Sequence, residues 1–147
     1  MDRRKFIGNT LLGLGGALCG VSAACAGSAK NDHRLKDAFR QPQRAGWTLV
    51  HLEGEPSDIG FQHGYLLAPE IDDAIKVVVL EQTHNSKRGW GFFRDAAKNM
   101  IWPHTEHEYR EEMTGISQGL QAHGLKWDLW DVVALNTTME WGYYLKQ

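Results

Sequence analysis

The chain has 147 residues, 16 Lys+Arg against 18 Asp+Glu, seven histidines and two cysteines. A net charge of −2 without a basic tract argues against nucleic acid as a partner, and this length allows one small domain or part of a larger one. Six tryptophans, five phenylalanines and four tyrosines are a heavy aromatic load that needs a large core or an interface, so the chain is expected to be incomplete as a folding unit.

Residues 1–30 read as a twin-arginine export signal. Arg3 and Arg4 precede Lys5, Phe6 and Ile7, and a weakly apolar run follows from Leu11 to Ala26. Gly13, Gly15, Gly16 and Gly20 make that run too short and too glycine-rich for a stable membrane span. Cleavage after Ala26 suits an ordinary signal peptidase. Cleavage after Ala24 would expose Cys25 for lipidation, although Ser22 stands where a lipobox prefers a large aliphatic residue. Both cysteines, Cys19 and Cys25, lie in this segment, so the exported part has no disulfide and no thiol nucleophile of its own. Beyond residue 30, twelve basic residues face seventeen acidic ones. The implied location is the periplasm, reached through the twin-arginine translocation machinery. Membrane contact is then confined to export, or to an anchor at Cys25.

Residues 31–45 are polar and aperiodic and read as a linker. A short strand follows over Gly46–Glu53, with Trp47, Leu49, His51 and Glu53 on one face and Thr48, Val50 and Leu52 on the other. Gly54-Glu55-Pro56 ends it. Ser57 is the expected N-cap of a helix carrying Ile59, Gln62, His63, Leu66 and Leu67. Pro69 either kinks that helix or opens a second one, whose stripe is Ile71, Ile75, Val78, Val79 and Gln82 over Glu70–Thr83. A polar loop is expected over His84–Gly89 and a helix over Trp90–Ile101, stopped before Pro103. A further helix starts at Thr105 or Glu106, carries Tyr109, Met113, Ile116 and Leu120, and ends at Gly124. The last begins at Trp127-Asp128 and lines up Leu129, Val132, Val133, Asn136 and Glu140 on one side. The predicted fold class is mainly α with one short N-terminal strand.

Four constellations invite chemistry. Gly115-Ile116-Ser117-Gln118-Gly119 matches a G-x-S-x-G nucleophile elbow, but its context is helical, not a strand-to-helix turn, so two close-packing glycines are the better reading. His104-Thr105-Glu106-His107-Glu108 has neither the spacing nor the glutamate position of a zinc helix and reads as an exposed polar turn. Gly60 and Gly64 lie four apart on one helix face, where they let another backbone approach; His63 between them reads as a buried histidine satisfied by hydrogen bonds. Asn136 and Glu140 are candidates for a pocket wall.

Together, Leu52–Pro56, Ile59-Gly60-Phe61-Gln62-His63-Gly64-Tyr65-Leu66-Leu67-Ala68, Gly115–Gly119 and Asp131–Asn136 resemble the isopenicillin-N acyltransferase-like, or phospholipase B-like, branch of the N-terminal nucleophile hydrolases. The resemblance covers roughly Gly46 to Tyr144. It implies a self-processing enzyme that cuts itself before a cysteine, uses that cysteine as nucleophile, and cleaves or transfers acyl groups at amide bonds. It also implies a four-layered αββα sandwich to which residues 46–147 contribute the helical part before the cut. The family's cysteine comes soon after the stretch matching Asn136 to Tyr144 and is not within residues 1–147, so no catalytic residue is assigned here. Asn136 and Glu140 fall nearest that site as pocket wall. The implied partner is the nucleophile-bearing remainder of the enzyme; no metal or organic cofactor is implied. The alternative is a small exported helical protein that binds a ligand or partner without catalysis.

Overall fold

The structure, a computed structural model, describes residues 32–145. The expected signal over residues 1–30, with Arg3, Arg4, Phe6 and the cleavage frames around Cys25, lies outside the described residues. The described chain is mainly helical, with one small two-stranded antiparallel sheet. None of its helices is long and apolar enough to cross a membrane.

The expected linker is structured. A 3₁₀ turn, His33–Leu35, leads into strand β1, Phe39–Arg40, which pairs with β2, Val50–His51. Arg44 and Trp47 exchange both backbone hydrogen bonds at 2.9 Å, around Ala45 (φ 50) and Gly46 (φ 85). Two positive φ values in a two-residue connection match the twist of a hairpin. Ala45 is an unusual residue for that conformation, which is why the hairpin is hard to read from sequence. The alternation over 47–53 holds: Thr48, Val50 and Leu52 are partly buried and Trp47, Leu49, His51 and Glu53 are exposed.

Helix α1, Pro56–Leu66, starts one residue before the expected Ser57 cap. Pro56 occupies the first turn, where its fixed φ suits the helix and its missing N–H leaves nothing unpaired. Pro69 opens a second helix, α2, Ala68–Ser86. Ile75 is fully buried, and Ile71, Val78, Val79 and Gln82 are partly buried beside it. This helix runs past Thr83 into the expected loop. The Ser86 hydroxyl donates to the Gln82 carbonyl and accepts from the Arg88 amide, while Lys87 turns left-handed (φ 59).

Helix α3, Trp90–Ala96, continues through a π turn, Ala97–Ile101, into a 3₁₀ turn, Trp102–His104, that holds Pro103. Helix α4, His107–Ala122, follows. The Gly124 amide bonds back to Gln121 and the Leu125 amide to Leu120, with Gly124 at φ 101, which is a Schellman ending. Helix α5, Leu129–Asn136, opens on a capping box: Asp128 accepts from the Trp130 and Asp131 amides, and Asp131 accepts from the Asp128 amide. The expected single last helix is interrupted. Thr137 and Thr138 turn their hydroxyls onto the carbonyls of Val133 and Leu135, closing α5 before a separate helix α6, Trp141–Tyr144. Glu140 therefore stands beyond the end of α5 rather than one turn along it.

The aromatic load is spent largely inside. Phe93 and Trp141 pack edge to face at 5.4 Å between ring centres, joined by Val133, Ala134 and Ala97 in one core cluster. A second cluster gathers Ala68, Ile116, Leu120 and Val132. Five of the six tryptophans are buried or partly buried, and Trp47 is the exception.

Helices α1 and α4 cross in backbone contact through two glycine pairs. A Cβ added to Gly60 or Gly64 would fall closer than 3.0 Å to the carbonyl oxygen of Glu112 or Ile116; one added to Gly115 or Gly119 would meet that of Ser57 or Phe61. Backbone cannot move aside as a flexible side chain can. Gly64→Ala is therefore expected to cost about 3 kcal/mol or more in urea unfolding. Gly91→Ala, on the exposed side of α3 with open space around it, is expected to be neutral or stabilising by about 0.5 kcal/mol. Equal effects of the two substitutions would contradict this packing.

Candidate functional site

The glycine crossing sets one wall of a cleft of about 580 Å³. His63, flanked by Gly60 and Gly64, reaches it from α1. Helix α4 supplies Tyr109, Glu112, Met113 and Ile116, the last two with apolar surface. The turn before α4 brings His104, Thr105 and Glu106, and the end of α5 brings Val133, Asn136 and Thr137. Because Gly60 and Gly64 rest on the backbones of Glu112 and Ile116, the register of the crossing places the imidazole of His63 toward Glu112.

His63 departs from its expected role. It is half-buried, and its ring makes no hydrogen bond to any described residue. Burial pushes its pKa below the usual 6.5, and the Glu112 carboxylate opposes that only in part. A neutral imidazole in a partly apolar cleft can accept a hydrogen bond or take up a proton.

The other motifs resolve as follows. Ser117 is buried in the middle of α4, and its hydroxyl donates to the Thr114 carbonyl at 2.8 Å. It sits on no strand-to-helix turn, so the elbow reading fails. His107 is exposed in the first turn of α4 and lies 3.4 Å from Glu111 one turn on, while His104, Thr105 and Glu106 of the same stretch border the cleft. Among the described residues no group of three His, Cys, Asp or Glu side chains is gathered to hold a metal ion. Asn136 lines the cleft, with its amide donating to the Val132 carbonyl at 3.0 Å. Glu140, the second candidate wall residue, is exposed and does not line it. Asp131 is a buried structural hub rather than a site group: it accepts from the Trp90 indole at 2.8 Å and is ion-paired to Arg94. Arg94 also bonds Asp128 at 2.7 Å. Burial pushes the Asp128 pKa up, but Arg94 and the capped amides outweigh it and leave it below the usual value.

Sequence reasoning missed His104, Tyr109 and Glu112 as cleft residues. The signal was present: facing the two glycine pairs against each other brings His63 to the α4 face that carries Glu112.

An uncharacterised protein of the archaeon Archaeoglobus fulgidus is 31% identical to this chain over 101 residues, covering 62% of the chain and 16% of the relative's length. The chain thus spans well under a fifth of the relative it matches. No protein-family model and no solved structure matches it.

The histidine gives a signed test. Its folded pKa lies below 6.5, so the folded chain holds fewer protons than the unfolded one. Its contribution to stability is complete above 6.5 and is lost as the pH falls toward the folded value. A proton NMR titration is expected to place the His63 midpoint below 6.5, and His63→Gln to flatten the acid side of the stability profile. A midpoint above 6.5 would mean that Glu112, not burial, governs the ring.

Proposed function

We propose that this chain is the segment preceding the nucleophile in an exported, self-processing cysteine amidohydrolase or acyltransferase acting on amide-linked acyl groups. The observation that carries this reading is the meeting of its motifs. The stretches Ile59–Ala68 and Gly115–Gly119, far apart in sequence, interlock through their glycines, and Asn136 from the third stretch borders the cleft beside them. Residues that resemble one family in sequence order thus also form one spatial unit. The length of the A. fulgidus relative fits the same view, since the stretch matched there is part of a much longer chain. In this reading the cleft is a wall of the acyl site, the attacking thiolate comes from the remainder of the enzyme, and the new N-terminal amine serves as its base. The twin-arginine signal delivers the folded product to the periplasm.

A second reading, a self-sufficient exported binding protein, draws support from the closed aromatic core around Phe93 and Trp141. One experiment separates the two. The coding frame beyond Gln147 is read, and its full product is expressed and weighed by mass spectrometry. The enzyme reading expects the frame to reach Cys-Ser-(Ala/Gly)-Phe soon after Gln147. It also expects the product to split in front of that cysteine, and a Cys→Ala change there to leave it whole. A stop codon followed by unrelated sequence, or a product that never splits, would favour the binding protein.

A further inference from the structure

The chemistry of the cleft is lopsided. Its volume, about 580 Å³, falls in the range of about 300–1,000 Å³ typical of small-molecule sites. Two carboxylates, Glu106 and Glu112, line it, and neither lysine nor arginine does. Met113, Ile116 and Val133 give it an apolar wall, and the half-exposed Tyr109 adds an aromatic side chain to the lining. His63 adds a ring without a hydrogen-bond partner among the described residues, and burial disfavours its protonated form. A neutral imidazole accepts a hydrogen bond and brings no positive charge. The two carboxylates attract a cation and repel an anion, a preference sharpened where water is partly excluded, and a second histidine, His104, borders the same cleft.

We propose that this cleft binds an amphipathic organic cation, a protonated amine on an apolar body. The ammonium group lies against the Glu112 carboxylate and donates to the His63 ring, and the apolar body lies along Met113, Ile116 and Val133. The Tyr109 ring is available for a cation–π contact with the same ammonium group. Every group the proposal uses lies within this chain, so its binding test can fail or hold whatever the outcome of the self-processing test.

Three probes of similar size and the same aromatic body test it by calorimetric titration into the full chain at pH 7.5: phenethylamine, phenethyl alcohol and phenylacetate. Phenethylamine is expected to bind one site, with the alcohol about tenfold weaker and phenylacetate weaker still, as loss and then reversal of a partly buried charge contact predicts. Glu112→Gln is expected to erase the preference for the amine over the alcohol while leaving the circular dichroism unchanged. The comparison of the three probes on the unaltered chain does not depend on that variant folding. Equal binding of the three, a preference for phenylacetate, no detectable binding of the amine, or an unchanged preference in a folded Glu112→Gln variant would each overturn the proposal.

Discussion

The structure depends on one close approach, the crossing of α1 and α4 at Gly60, Gly64, Gly115 and Gly119. Side chains normally keep helix axes about 8–10 Å apart. Four glycines remove that spacer on both sides at once, and each helix rests on the other's carbonyl oxygens. The arrangement favours weak Cα–H···O contacts, about 0.5–1 kcal/mol each, and it repays the entropy that glycine costs inside a helix, about 1 kcal/mol per residue. It also fixes register. A side-chain interface can slide by repacking, whereas a backbone interface with room for no Cβ has one seating. His63, between two of these glycines, is thereby aimed at the α4 face that carries Glu112.

The rest of the fold is fastened to that pair by buried or half-buried polar links. Gln62 on α1 accepts from the Glu53 amide and donates to the carbonyls of Arg34 and Glu53, tying the N-terminal hairpin to the crossing. Arg34 lies over the Phe61 ring at 3.5 Å and reaches Gln118 on α4, so the 3₁₀ turn spans both helices. On the other side, the Trp127 indole donates to Asp72 of α2 at 2.8 Å. Asp131 gathers Trp90 and Arg94 of α3 onto the start of α5. These links carry little energy each, but every one joins elements that the apolar clusters alone would leave free to shift. The cleft lies where the crossing, the turn before α4 and the end of α5 converge.

Much of this was legible in the sequence. The stripe of α2, the helix stop at Gly124, the start of α5 beside Asp128 and the close-packing roles of both glycine pairs follow from spacing and residue type. What was missed has physical causes. The hairpin at Ala45-Gly46 uses a left-handed alanine, which propensity disfavours. The break after Asn136 comes from Thr137 and Thr138 bonding back to carbonyls, a local competition that apolar periodicity does not register. That break also separates Asn136, which lines the cleft, from Glu140, which does not. His63 was read as satisfied because a glycine-flanked helix position suggests burial. Its half-burial arises from the gap between α4, α5 and the turn at Trp102–His104, which only tertiary packing defines.

The central claim is that the backbones of α1 and α4 touch, and nuclear Overhauser spectroscopy measures this most directly. The account predicts cross-peaks between the Hα protons of Gly60 and Glu112 and between those of Gly64 and Ile116, of the strength seen for protons on neighbouring strands. Their absence in assigned spectra of the folded chain, with only side-chain contacts joining the two helices, would contradict it.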